Sequence, residues 1–299
     1  MSQLSTNLMR SALYLPGSNA RAIEKARNLA ADAVIFDLED AVAAAEKPEA
    51  RRNLEKAFER GMVARGLNVV RTNSHGTADF AADLDTARRC RPHAILVPKV
   101  SRPGQVDAIC RELDAKFGAH RPALWCMIET ADGVLAVAQI ASARHSGSRA
   151  IECLVVGTND IARETGVSME NGRQHMHPWL MTVVLAAKAN GLVVLDGVFN
   201  DFKDAEGFNA EAAQARMMGF DGKTLIHPTQ LEPANRVFAP SPEAVEEARE
   251  IVAAFSDPAN AGRGVINLAG RMVELLHLEM ARRLIDKDAA IRARGSSAY

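Results

Sequence analysis

The sequence predicts an α/β fold, a (β/α)8 barrel with a C-terminal helical extension. Three observations carry that expectation. Short apolar runs alternate with segments of helical spacing, eight such units fit within the first ~230 residues, and the runs are continuously apolar rather than alternating. Continuous apolarity is what parallel strands covered on both faces require. An open doubly wound sheet is the competing arrangement, but the Gly-x-Gly-x-x-Gly fingerprint that accompanies many such sheets is missing from the sequence.

In chain order the expected strands are Ser11–Leu15, Ala33–Leu38, Val69–Asn73, Ala94–Lys99, Leu124–Glu129, Cys153–Gly157, Val193–Val198 and Thr224–His227. Between them, Ala20–Ala30, Pro48–Arg65, Ala78–Arg88, Gly104–Phe117, Gly133–Ala143, Leu180–Asn190 and Ala205–Met218 carry helical patterns, several with apolar residues at i, i+3 and i+4. After His227 the pattern changes. Pro228, Pro233, Pro240 and Pro242 lead to a helix over Glu243–Ala254, and the Gly-rich link Asn260–Gly264 precedes a last helix over Leu268–Arg292. The expected division is a barrel over 1–236 and an extension over 237–299, packed across the barrel or at a subunit interface.

Composition narrows the function classes. Across 299 residues, 47% are hydrophobic and 24% charged, enough apolar material for a sizeable core. A net charge of −1 argues against nucleic acid as a partner, and no apolar run reaches the ~20 residues of a membrane span. Met1–Arg10 has no apolar signal core, so the expected compartment is the cytoplasm. Cys90, Cys110, Cys126 and Cys153 form no Cys-x-x-Cys pair and read as buried thiols. His175 and His177 fall in a stretch expected to be an exposed loop, Trp125 and Trp179 read as packing residues, and there is no nucleophile elbow for a hydrolase triad.

The chemistry is expected where the strands end, because the C-terminal ends of barrel strands converge on one mouth. Asp37, Glu39 and Asp40 close the second run, Arg71 and Asn73 the third, Lys99 the fourth and Glu129 the fifth. Asp160 follows the sixth, Asp196 and Asn200 flank the end of the seventh, and His227 closes the eighth. Glu129 and Asp160, at neighbouring strand ends, form the sharpest pair. Two carboxylates with room for water and a chelating substrate suit Mg2+, which commonly takes one or two protein carboxylates; salt bridges to Arg71 or Lys99 would satisfy them equally. Arg71 offers a planar fork to a substrate carboxylate, or a partner to Asp37 or Glu39.

The ordered motifs Arg10-Ser11…Leu15-Pro16-Gly17, Asp32–Val42, Arg71-Thr72-Asn73, Val97-Pro98-Lys99, Ile128-Glu129-Thr130, Gly157-Thr158-Asn159-Asp160, Gly219–Lys223, Ile226-His227-Pro228 and Gly270-Arg271-Met272-Val273 resemble the group of the citrate lyase β-subunit, malyl-CoA lyase and citramalyl-CoA lyase, within the aldolase/citrate lyase superfamily. The likeness runs from Arg10 to about Ala281. It implies a barrel that forms a homo-oligomer, a trimer or hexamer, with Mg2+ held by Glu129 and Asp160 and a substrate carboxylate bound by Arg71. It also implies a 3-hydroxy-3-carboxyacyl-CoA substrate of the citramalyl-, malyl- or citryl-CoA type, cleaved to acetyl-CoA or a homologue and a 2-oxo acid. Asp37, Glu39, Lys99 and Arg10 are the further candidates for substrate contact. Two departures stand out. Asn159 occupies a position often acidic in the group, and Glu274 stands where an Asp of the C-terminal motif completes a neighbouring subunit's site. Glu274 is thus the expected proton-transfer residue, one methylene longer than usual. The alternatives are thioester hydrolysis, a CoA-independent 2-oxo acid aldolase, and a non-catalytic subunit of a lyase complex.

Overall fold

The computed structural model describes residues 8–143 and 151–296, so most of the Met1–Arg10 stretch lies outside the described residues. Eight parallel strands close into a barrel in sequence order: β1 Ser11–Pro16, β2 Ala33–Asp37, β3 Leu67–Arg71, β4 Ala94–Val97, β5 Ala123–Ile128, β6 Ile151–Val156, β7 Val193–Asp196 and β8 Gly222–Leu225. The predicted strands are all present; most end one to two residues earlier than their apolar runs. Asn73, Lys99, Glu129 and His227 therefore belong to loops, while Asp37, Arg71 and Asp196 are the last residues of their strands. Closure joins β1 to β8 with Ala12 opposite Thr224. It depends on Gly222, where an added Cβ would fall 1.7 Å from the Met9 carbonyl oxygen.

Alternation along each strand splits the side chains between two environments. Leu13, Leu15, Val34, Phe36, Val70, Ile95, Val97, Leu124, Cys126, Ile128, Leu154, Val156, Val194 and Leu225 join the continuous apolar core with helix residues such as Leu54, Leu84, Ile109 and Leu180. The alternate positions, including Tyr14, Asp37, Arg71, Trp125 and Met127, therefore face the barrel interior. Both faces being covered is why the runs lack polar alternation. Trp125 is fully buried and the four cysteines are buried free thiols, as expected.

The helices begin where local chemistry starts them. Thr77 accepts from the Phe80 amide ahead of Ala78–Cys90, Thr130 from Gly133 ahead of Ala131–Leu135, and Asp204 from Gly207 ahead of Ala205–Met218. The stretch expected as one helix over Gly133–Ala143 is two, Ala131–Leu135 and Val137–Ser142. The histidine pair does not lie in an irregular loop: His175 sits in a 3-10 turn and His177 opens the helix His177–Ala189. No helix among the described residues is long and apolar enough to cross a membrane.

Met9–Phe238 forms one compact unit, and the described residues from Ala239 onward form a second. In the second unit the helix Pro242–Ser256 packs on the helix Leu275–Ser296. The last helix does not start at Leu268. The segment before Leu275 is an antiparallel hairpin, β9 Val265–Leu268 and β10 Arg271–Glu274, with Ile266 opposite Val273 and both buried. Ala269 and Gly270 both take positive φ, 50° and 82°, the two-residue turn that matches hairpin twist. Glu274 ends β10, and its amide donates to His277 Nδ1 at 2.9 Å.

Candidate active site

The mouth of the barrel is built from the ends of β2, β3, β4, β5 and β6. Asp37, the last residue of β2, lies opposite Arg71, the last of β3. Asp37 Oδ1 accepts from Arg71 Nε at 2.7 Å and Oδ2 from Nη2 at 2.5 Å, a forked pair. The amides of Glu39 and Ala41 also donate to this carboxylate, at 2.9 and 3.2 Å. The acidic run after β2 thus folds back on Asp37 and is answered by a cation, as its charge required. Glu39 Oε2 lies 3.0 Å from Arg71 Nη1, and Lys99 Nζ donates to Glu39 Oε1. Burial pushes the Glu39 carboxyl upward, against the pull of Arg71 and Lys99.

Lys99 follows β4 with φ of 55°, a left-handed conformation that costs a non-glycine residue ~1–2 kcal/mol. That turn sends its backbone N–H to Glu129 Oε1 at 2.8 Å. Burial alone would lower the Lys99 ammonium, and its contact with Glu39 reverses this to leave it raised.

Glu129 follows β5 and is fully buried. Its second oxygen, Oε2, has no hydrogen-bond partner among the described residues. Burial above all, then the Glu39 and Asp160 carboxylates, push this acid up to about 8, with Arg71 and Lys99 opposing. Room for it comes from Gly157: an added Cβ there would lie 2.4 Å from Glu129 Cβ and 2.5 Å from Oε2. Asp160 stands in the first turn of the helix Thr158–Thr165, partly exposed, with Oδ1 2.5 Å from Arg163 Nη2. Neither carboxylate makes the anticipated side-chain bridge to Arg71 or Lys99; Glu129 meets Lys99 through the backbone amide.

A buried carboxylate with an orphaned oxygen beside a second carboxylate is the arrangement a divalent cation resolves. Among the described residues no group of three or more His, Cys, Asp or Glu converges as a metal cage. The residues present fit a hard ion that keeps most of its shell for water and substrate, as Mg2+ does.

Tyr14 and Met127 were missed from the sequence, and Gly157 was noted only as part of the motif Gly157-Thr158-Asn159-Asp160. Tyr14 lies under the Arg71 guanidinium, with Cζ 4.9 Å from the ring centroid. Its hydroxyl reaches Met127 Sδ at 3.8 Å. Both are inward positions of their strands; counting back two from Glu129 would have supplied Met127, whereas Tyr14 is placed only by the β1–β2 register, opposite Ile35.

Three sequence-derived expectations are corrected. Arg10 stands at the start of β1, the opposite end of the barrel from the mouth. Its guanidinium forks onto Asp32, Nε to Oδ2 at 2.8 Å and Nη2 to Oδ1 at 2.9 Å, so it clamps the chain before β1 to the start of β2, away from the mouth. Asp196 ends β7 on the outward parity, buried between Arg173 Nη1 at 2.6 Å and Lys223 Nζ at 2.7 Å. Lys223 also holds Glu211 at 2.7 Å, so this cluster is sealed between barrel and helices. His227 stacks on Phe202, centroids 4.5 Å apart, and caps the turn Pro228–Gln230. Asn200 exchanges amide bonds with Asn159 at 3.0 and 2.9 Å, knitting the loop after β7 to the helix that bears Asp160.

Fold and mouth together define a (β/α)8 barrel that gathers an arginine, a buried glutamate and a partly exposed aspartate at its strand ends. The chain belongs to the HpcH/HpaI aldolase/citrate lyase family, which residues 10–228 match, and is accordingly an enzyme of the carbon–carbon lyase type. It is 47% identical to the (3S)-malyl-CoA thioesterase of Cereibacter sphaeroides, over 95% of this chain and 96% of that one. It is 34% identical to the L-malyl-CoA/beta-methylmalyl-CoA lyase of Rhodobacter capsulatus, over 93% and 94%. Among solved structures, CitE from Mycobacterium tuberculosis in complex with magnesium, acetoacetate and coenzyme A aligns with a TM-score of 0.73 and 31% identity, over 93% of this chain and 97% of that one.

Proposed function

We propose that the chain is a Mg2+-dependent lyase that cleaves a 3-hydroxy-3-carboxyacyl-CoA of the malyl- or citramalyl-CoA type to acetyl-CoA and a 2-oxo acid. The observation that carries this reading is Glu129: a buried carboxylate with one oxygen unpartnered, beside Asp160 and Arg71 at the barrel mouth. The magnesium in the CitE complex and the thioesters named for the relatives support it.

Glu129 and Asp160 would hold Mg2+. When bound, the ion supplies Lewis acidity to the oxygen that becomes the carbonyl of the 2-oxo acid. Arg71 binds the substrate carboxylate. Asp37 occupies its Nε and Nη2, which fixes the guanidinium plane and leaves Nη1 facing Glu39 and Met127 on the lumen side. Lys99 tempers the negative charge of Glu39, and its amide orients Glu129. Glu274, acting across a homo-oligomer interface, is the candidate for carrying the proton between the substrate hydroxyl and the acetyl-CoA enolate.

Thioester hydrolysis is the second reading, favoured by the 47% identity to a malyl-CoA thioesterase. One assay separates the two. With Mg2+ and malyl-CoA or citramalyl-CoA, 2-oxo acid is measured by hydrazone formation and free CoA by thiol titration. Oxo acid without CoA release is expected for the lyase. CoA release without oxo acid establishes hydrolysis instead. Turnover of a free hydroxy-oxo acid with no thioester turned over would overturn the CoA reading. Glu129→Ala and Asp160→Ala should each abolish the Mg2+-dependent rate.

A further inference from the structure

The site has a floor, and the floor carries a hydroxyl. Strands β1 and β5 stand four positions apart in an eight-strand barrel, on opposite walls. The contact between Tyr14 Oη on β1 and Met127 Sδ on β5 therefore crosses the lumen. The ring passes beneath the Arg71 guanidinium, whose Nη1 lies 3.7 Å from the same sulfur. Three side chains from three strands thus close the barrel interior below the mouth. What enters from above meets the tyrosine ring and the guanidinium together.

The hydroxyl is poorly matched to its surroundings. A thioether is a weak acceptor, and a contact of 3.8 Å leaves most of an O–H donor's capacity unused. Asp37 and Glu39 are already engaged by Arg71 and Lys99. Tyr14 is half-buried rather than sealed in the outer core. A phenol ordinarily keeps its proton to about pH 10, so the group is a neutral donor. A Phe would complete the same floor and the same stacking under Arg71 without bringing a polar group into the lumen.

We propose that the Tyr14 hydroxyl is a specificity-determining donor to an oxygen of the small 2-oxo or 2-hydroxy acid moiety held by Arg71. The assignment rests on the proposed function for its ligand class. Arg71 answers the charge of the substrate carboxylate, and Tyr14 reads a further oxygen at the depth its ring sets. A short oxygen-rich acid satisfies the donor. An acyl chain without an oxygen at that depth leaves it unpaired on binding, and the floor excludes a longer one.

The test compares Tyr14→Phe with Tyr14→Leu. Binding of glyoxylate and pyruvate is measured by calorimetry in the presence of Mg2+, alongside thermal melting with and without Mg2+. Tyr14→Phe keeps the ring, so its melting temperature and its Mg2+-induced shift should match wild type. Its 2-oxo acid affinity should fall about tenfold, the loss of one hydrogen bond to a polar ligand. In turnover the loss should appear in KM for the acyl substrate with kcat changed far less. Tyr14→Leu should lose more, having lost the face under Arg71 as well. If wild type binds 2-oxo acid in a Tyr14-dependent way yet cleaves no thioester, this inference stands and the proposed reaction falls. Unchanged oxo-acid affinity in a folded, Mg2+-responsive Tyr14→Phe protein would overturn the inference, as would a wild type that binds no 2-oxo acid with Mg2+ present.

Discussion

Replacing Glu129 by Gln should stabilise the metal-free protein, and by more as the pH rises. Glu129 is fully buried with one oxygen unpartnered, and its acid is moved from an ordinary 4.5 to about 8. A change of that size makes the ionised form cost up to about 5 kcal/mol, at 1.36 kcal/mol per pH unit. The sign follows from proton counting. Between those two values the folded chain binds a proton that the unfolded chain has released. Stability is therefore undiminished by this group below its unfolded value and is lost progressively as the pH rises through the folded one. Gln keeps the shape and the acceptor for the Lys99 amide but cannot ionise. The variant should match wild type near pH 4.5 and exceed it above pH 8. For a chain of this size each kcal/mol is worth ~2–4 °C. The assay is thermal unfolding across that pH range, with and without millimolar Mg2+. Mg2+ should raise the wild-type midpoint most at high pH and leave the variant unmoved. A gap between the two proteins that is the same at both ends of the range, or an equal response of the variant to Mg2+, would refute the reasoning.

Two further substitutions probe the scaffold. Gly157→Ala should force Glu129 from its place, since the new Cβ would meet its Cβ at 2.4 Å; about 1–3 kcal/mol of stability should go. The Mg2+-induced melting shift should disappear with it, as a metal titration followed by melting would show. Lys223→Met removes one of the two cations on buried Asp196 and leaves Glu211 only the longer contact with Arg173 Nε, 3.6 Å. Denaturant unfolding should show a loss of about 3–5 kcal/mol, while KM of the folded fraction stays at the wild-type value because the cluster faces away from the lumen.

Strand order and number were legible because burial on both faces writes each strand as an apolar run. The inward strand ends Asp37, Arg71 and Glu129 were legible because charge at the close of such a run has few other reasons to exist. Arg10 and Asp196 show the limit. Position near a strand does not reveal which end of the barrel a residue occupies, and proximity to an end does not reveal parity. Arg10 precedes β1 and so falls at the far end, while Asp196 shares the outward parity of Val194 and turns to the helices. The hairpin before Leu275 was hidden by its shortness, since four-residue strands carry too few alternations to stand against a long helical pattern. Tyr14 and Met127 were hidden by being ordinary apolar members of their runs.

The sealed cluster of Arg173, Asp196, Glu211 and Lys223 bears on how the barrel responds to heat. Dehydrating ions becomes cheaper as temperature rises, whereas hydrophobic stabilisation per unit area levels off. The β7–β8 side of the wall should accordingly soften last, and its strand amides should be the slowest to exchange with deuterated solvent near the melting point. Warming should loosen first the neighbourhood of β5 and β6, where Glu129 has a carboxylate oxygen without a partner among the described residues. An organism growing at elevated temperature would meet its ceiling at the catalytic half of the wall, and bound substrate would be what raises it.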